Sequence, residues 1–159
     1  MLKKEISLIK LKCVREKSTY YEVKPFVEPK VIHEVINKFL GETDREYFLV
    51  ICMNARNEIN SVEICGVGTL TSCIVSVREV FKWAIASNAN SIIVAHTHPT
   101  DYVEPSKADI RTTELLLKAA KIIGIPLLDH IIVSGNKYYS FQENDKFDDF
   151  GEYDEVFIQ

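Results

Sequence analysis

Cysteine is scarce in this chain, and its four residues (Cys13, Cys52, Cys65, Cys73) form no C-x-x-C pair and no tight framework. A small disulfide-stapled module is thereby excluded, and reduced thiols in a cytoplasmic setting are expected. Glycine (6) and proline (5) are too few for a low-complexity or collagen-like chain. No apolar run approaches the roughly 20 residues of a membrane span. Residues Met1 to Lys10 mix charges into every short apolar stretch, so no signal-peptide apolar region is expected. A strong basic excess is also missing: 19 Lys and Arg face 23 Asp and Glu, a net charge of −4. That balance does not mark a nucleic-acid binder by itself.

What remains is 159 residues, 47% hydrophobic and 26% charged, the make-up of one soluble globular domain. A chain of this size buries roughly 68–70% of its unfolded surface and needs no staple to fold. Its charge is unevenly spread. Residues 1–24 carry seven bases against three acids, and residues 143–159 carry seven acids against Lys146 alone. The expected organisation is a basic lead over 1–26, a central domain over 27–142, and an acidic, aromatic tail over 143–159.

Loose alternation in the lead (Ile6, Leu8, Lys10, Lys12, Val14, then Tyr20 and Tyr21) predicts one or two strands. Pro29 opens a helix whose apolar face is Ile32, Val35, Ile36, Phe39 and Leu40, and Gly41 stops it. His33 falls on the polar side and is expected to be solvated. Phe48–Met53 reads as a strand, Asn54–Asn57 as a turn, and Ile59–Val67 as the returning strand. Ser76 and Glu79 fit a capping box at the start of a helix running to Asn88. Ile92–Ala95 is a strand buried on both faces. A polar loop covers 97–105. A helix follows from Lys107 to Ile123, with Ile110, Thr113, Leu116, Leu117, Ala120 and Ile123 on one face and Gly124 and Pro126 ending it. Leu127–Val133 is another buried strand. Gly135 and Asn136 turn the chain, and Tyr138–Phe141 pairs back. Alternating strands and helices imply a sheet with helices packed on it.

The strand ending at Ala95 runs directly into His96 and His98. Residues i and i+2 of an extended chain share a face, so both imidazoles emerge side by side. Asp109 falls in the first turn of the next helix, close enough to complete a three-ligand set. Two His and one Asp suit zinc with one position open, the catalytic rather than the structural pattern. Each part has a plainer reading. His-x-His can be a polar strand end, and Ser106 with Asp109 can be a capping pair.

The conjunction His96-x-His98, seven residues, Ser106, two residues, Asp109 resembles the JAMM (MPN+) metalloprotease motif in spacing and identity. The runs beginning at Glu46, Gly68, Arg78, Ala95, Pro105 and Gly124 resemble the bacterial RadC-type branch over about residues 27–141. The resemblance implies a cytidine-deaminase-like α/β/α sandwich around a mixed sheet, a JAB/MPN domain. It implies one zinc ion on His96, His98 and Asp109, with Ser106 stabilising an oxyanion. A glutamate from an earlier strand would be the general base for a zinc-activated water, hydrolysing a peptide or isopeptide bond.

Among the glutamates, Glu79 belongs to the expected capping box, Glu63 lies opposite the apolar face, and Glu42 and Glu58 sit in turns. Glu46 immediately precedes the Phe48–Met53 strand, where the family places its base, and is assigned that role. The implied partner is a protein or peptide substrate, with no membrane, and assembly into an oligomer is compatible with the sequence. The RadC resemblance also leaves a second reading: a DNA repair or recombination accessory protein whose metal domain is structural or a binding module.

Two departures from the branch stand out. The run after His98 is Pro99-Thr100-Asp101, where RadC-type proteins carry a Gly at the last position, so Asp101 adds a charge near the site. The chain is also expected to be a short form without the helix-hairpin-helix region of the longer members, which weakens a direct DNA-binding reading. Asp129 and His130 interrupt the Leu127–Val133 strand and are expected to be structural, hydrogen-bonded near the site. The cysteines are expected in the core. A cytidine deaminase would need His-x-Glu and Pro-Cys-x-x-Cys, and neither is present.

Overall fold

A computed structural model describes residues 4–10, 12–22, 28–70, 73 and 75–147. The elements follow the chain as α1 (Pro29–Leu40), β1 (Tyr47–Met53), β2 (Ile59–Val67), α2 (Val77–Ala86), β3 (Ser91–Thr97), α3 (Lys107–Ile123), β4 (Leu127–Ser134) and β5 (Lys137–Ser140). The sheet has five strands in the order β2-β1-β3-β4-β5. Only β3 and β4 run parallel, joined through α3; the other pairs are antiparallel. A parallel neighbour needs a crossover, and α3 supplies it.

The sheet is covered on both faces, as an α/β/α sandwich requires. On one face Ile32 and Ile36 of α1 pack with Leu49, Ile51, Ile93 and Ile131. On the other, Val80, Phe81 and Ala84 of α2 and Leu116 and Ala120 of α3 pack with Val50, Cys52, Ile92 and Val94. The strands β1 and β3 are buried on both sides, so their sequences read as continuous apolar runs. Fully burying one such Leu or Ile side chain contributes about 1.5–3 kcal/mol. No helix among the described residues is long and apolar enough to cross a membrane.

Several sequence-based expectations need correction. The described lead residues, 4–10 and 12–22, contain no strand. Ile6 and Leu8 stand 94% and 97% exposed: their alternation has no partner strand to pair with. Ser76 is the N-cap of α2, but its side chain makes no cap hydrogen bond. Glu79 instead holds Lys82 one turn on, at 2.5 Å. His33 is not simply solvated, because its Nε2 lies 2.9 Å from the Gly135 carbonyl and ties α1 to the β4–β5 turn. Glu63, expected opposite the apolar face of its strand, is half-buried, and burial raises its carboxyl. Ile110 and Ile123 stay 38% exposed, so the buried stripe of α3 narrows to Thr113, Leu116 and Ala120. Cys13 is exposed and only Cys52 is fully in the core. Phe147 of the tail packs partly buried against the α2–α3 face. Phe150, Tyr153 and Phe157 of the acidic, aromatic tail lie outside the described residues.

Asp129 fastens the end of the sheet. Its carboxylate accepts from the Ser140 hydroxyl (2.6 Å), the Gln142 N–H (3.0 Å) and the His130 N–H (2.7 Å). Burial nevertheless pushes this carboxyl up to about 6, with the three hydrogen bonds working in the opposite direction. A folded-state value above the unfolded one means that the native protein binds this proton more tightly. Stability from this group is therefore present below about pH 4 and is lost as pH rises through about 6. Asp129→Asn keeps the shape without the titration. Urea midpoints measured at several pH values should show wild-type stability falling relative to Asp129→Asn by up to about 3 kcal/mol across that window. A constant difference between the two proteins would contradict it.

Candidate metal centre

Three elements end at one point. Because β1 is antiparallel to β3, with Phe48 opposite His96, the start of β1 lies beside the end of β3. Because α3 leaves the carboxyl end of β3, its first turn returns to the same place, the crevice where open α/β sheets place ligands. His96 sits within β3, one pleat further along than the strand expected to stop at Ala95. His98 continues the same face, its N–H donating to the Val133 carbonyl at 2.8 Å.

His96, His98 and Asp109 bring one donor atom each within 4.8 Å of one another. The His96 Nε2 is 3.0 Å from the His98 Nε2 and 3.3 Å from Asp109 Oδ1, and His98 Nε2 is 3.8 Å from Asp109 Oδ2. His96 is 3% exposed. Burial pushes its imidazole down to about 4, with the Asp109 carboxylate opposing and His98 adding to the shift. The ring is held neutral, as a ligand must be.

The donor set fits a cation. The His98 Nδ1 lies 2.9 Å from the Tyr102 carbonyl, which can only accept, so Nδ1 is the donor and Nε2 is the nitrogen left to offer a lone pair in the neutral ring. That lone pair faces the His96 Nε2 and the carboxylate. Two ring nitrogens each about 2.0–2.1 Å from one tetrahedral zinc would lie roughly 3.3 Å apart, close to the spacing found.

Ser106 is the N-cap of α3 and forms a reciprocal capping box with Asp109. Its Oγ accepts from the Asp109 N–H at 3.2 Å, and its own N–H donates to Asp109 Oδ2 at 2.7 Å. The plainer reading of this pair is therefore true, and the same contacts aim the carboxylate at the two histidines. Accepting the Asp109 N–H leaves the Ser106 hydroxyl proton for another acceptor.

Glu46 is held immediately before β1. Its N–H donates to the Thr69 carbonyl at 2.9 Å, and its carbonyl accepts from Gly68 N–H at 2.8 Å. The Thr97 hydroxyl accepts from the Tyr47 N–H (2.9 Å) and donates to the Arg45 carbonyl (3.2 Å), clamping the backbone on both sides of Glu46. Glu46 is only 9% exposed. Burial raises its carboxyl; the nearby His98 lowers it, Asp109 raises it, and a hydrogen bond from the Cys73 backbone lowers it. The carboxylate thus feels both the histidine and the aspartate of the cluster.

The chain matches a family model, the RadC-like JAB domain, over residues 26–146. The chain belongs to the RadC-like JAB domain family. Among curated relatives it is 49% identical over 104 residues to a UPF0758 protein of Staphylococcus carnosus, covering 65% of this chain and 46% of that one. It is 39% identical over 115 residues to a UPF0758 protein of Chlorobium phaeovibrioides, covering 72% and 52%. With a UPF0758 protein of Staphylococcus epidermidis the figures are 38% over 135 residues, 85% and 59%. The chain spans about half the length of these relatives. Among RadC-like features, the Asp101 departure has a visible setting: its backbone carbonyl lies 3.3 Å from Lys137 Nζ, so the loop is fastened to the start of β5.

Sequence reasoning gave no site role to Thr113 and treated His130 only as a hydrogen-bonded structural residue. The Thr113 hydroxyl donates to the Asp109 carbonyl at 2.8 Å and lies 2.6 Å from His130 Nδ1. His130 Nε2 lies 2.8 Å from His96 Nδ1, and burial holds this imidazole well below its ordinary value. A histidine inside an apolar strand was the available signal, together with a threonine four residues after Asp109 on a buried helix face.

Proposed function

We propose that this chain is a zinc-dependent hydrolase that cleaves a peptide or isopeptide bond, working in the cytoplasm on a protein or peptide substrate. The reading rests on one observation above all: an N/N/O donor cluster lies beside a buried glutamate whose carboxyl is raised by its surroundings. His96, His98 and Asp109 would hold the ion. Zinc bound there would supply Lewis-acid polarisation and bring the pKa of a water down to roughly 7.

The remaining chemistry belongs to the chain. Glu46, with a carboxyl raised above the ordinary range, takes the proton of the attacking water and delivers it to the leaving amine. The backbone clamp from Thr97 keeps that carboxylate beside the cluster. The Ser106 hydroxyl, with its proton uncommitted to the capping box, donates to the oxygen that gains negative charge. Amide hydrolysis balances on these parts: water adds to the carbonyl, the C–N bond breaks, and the amine leaves with the proton from Glu46. Four free thiols are consistent with a reducing compartment.

The test compares cells carrying the wild-type chain with cells carrying Glu46→Gln. Profiling of new protein termini and of isopeptide remnants on lysine should reveal cleavages present only with the wild type. Identical profiles would contradict hydrolysis and favour the accessory reading.

A further inference from the structure

A second opening lies on the other face of the sheet from the metal centre. His96 alternates in step with Ile92 and Val94, which pack under α2 and α3, whereas Ile93 and Ile131 face α1. On the α1 side, where β1 ends, there is a cavity of about 300 Å³. Its Met53 wall closes β1, roughly 20 Å along the strand from Glu46. Met53, Ile93 and Ile131 make an apolar floor, none of them more than 3% exposed. One buried carboxylate, Asp129, shares that floor; it stands two residues before Ile131 on β4 and so on the same face. Asn57 and Gln142, both exposed, stand at the mouth.

The hydrogen bonds that fasten Asp129 leave part of it unused. A carboxylate offers roughly four acceptor sites. The His130 and Gln142 N–H groups fill Oδ1, and the Ser140 hydroxyl takes one site on Oδ2. One site on Oδ2 remains. No Lys or Arg is among the described residues lining the cavity, and the charged neighbour that acts on Asp129 is another acid, Glu143. Buried charges are ordinarily paired, and no residue described in this cavity supplies the counter-ion.

The walls do not suit an anion. Of α1, the cavity touches Pro29, which has no N–H, and the Val31 and Ile32 N–H groups behind it are both taken by the Glu28 carbonyl. The donors around the carboxylate are spent on it. What is missing is a positively charged donor carried on an apolar body.

We propose that this cavity binds a primary alkylamine, its ammonium donating to Asp129 Oδ2 and its hydrocarbon chain lying on Met53, Ile93 and Ile131. An ammonium has three protons, so two remain for the amide oxygens of Asn57 and Gln142 in the same cavity. The volume lies at the lower end for ligand pockets, which suits a small ligand. This site is independent of the metal centre and of the hydrolase reading.

The test records backbone ¹H–¹⁵N spectra of the full, metal-free chain with pentylamine, pentan-1-ol and pentanoate, probes of one length that differ in charge. Pentylamine should move the amides of Asp129, Ile131 and Gln142 and leave those of His96 and His98 in place. Its affinity should exceed that of pentan-1-ol by at least about tenfold, and pentanoate should not bind. Asp129→Asn should bring pentylamine down to the level of the alcohol. Nα-acetyl-lysine methylamide carries the same aminoalkyl arm on a peptide: shifts like those of pentylamine would assign the amine to a protein side chain, and shifts with pentylamine alone to a free small molecule. Equal affinity for amine and alcohol would overturn the proposal, leaving an apolar cleft. So would tighter binding of pentanoate, or no shift with pentylamine at tens of millimolar, about 10 times a millimolar Kd. Should Asp129→Asn not fold, the probes on the wild type decide alone.

Discussion

Replacing His98 with alanine is expected to abolish stoichiometric zinc binding while leaving the metal-free fold intact. His98 Nδ1 serves only the carbonyl of Tyr102, a residue 64% exposed, so its loss leaves no buried partner orphaned. The ligand nitrogen is another matter. Three protein ligands share the binding free energy of the ion, and losing one should weaken zinc by roughly 10²–10³-fold, or about 3–4 kcal/mol. The clearest readout is thermal. Zinc at 100 times its Kd stabilises the native state by about 2.7 kcal/mol, roughly 5–10 °C for a chain of this size. Wild type should show that rise on adding zinc, and His98→Ala should show at most about 0.4 kcal/mol of it, under about 2 °C, at the same concentration. An equal rise in both would remove His98 from the site.

Glu46→Gln should separate binding from turnover. The amide keeps the shape of the carboxylate and can still accept the hydrogen bond from the Cys73 backbone, but it cannot take a proton. General-base catalysis by one positioned group contributes about 10²–10⁴-fold. Turnover of a substrate found by terminus profiling should therefore fall by about that factor, while zinc content remains that of the wild type. Loss of zinc in Glu46→Gln would make Glu46 a structural neighbour of the cluster rather than the base. Full activity would move the role to another residue.

Much of this site is local in the chain, which is why it could be read there. His96 and His98 share a face by strand periodicity alone, and Asp109 follows from the first turn of the next helix. The capping box of Ser106 and Asp109 has its spacing written into four consecutive residues. The Thr113–His130 contact was not legible, because it depends on how β4 registers against β3 and how α3 lies over both. Val94 faces His130 across that pair, and a slip of one residue would turn His130 to the opposite side of the sheet.

The core elements were legible for a related reason. Runs such as Phe48–Met53 and Ile92–Val94 have no polar face to orient, so only burial on both sides accommodates them. The lead failed for the converse reason: alternation marks a strand only where the backbone pairs with an edge, and the described lead pairs with neither β2 nor β5. The described lead lies outside the sheet, and the Tyr21 hydroxyl accepts from the Ile59 N–H of β2 at 2.8 Å. Ser76 shows a similar limit, since Glu79 finds Lys82 instead of closing the box.

X-ray absorption at the zinc edge of the zinc-loaded full chain tests the centre most directly. The account predicts a shell of nitrogen and oxygen only, at about 2.0–2.1 Å, with the outer-shell scattering of two imidazoles. Asp109→Ala should lose the bound ion. Sulfur scattering at about 2.3 Å, pointing to a thiolate such as the Cys73 side chain near Glu46, would contradict it.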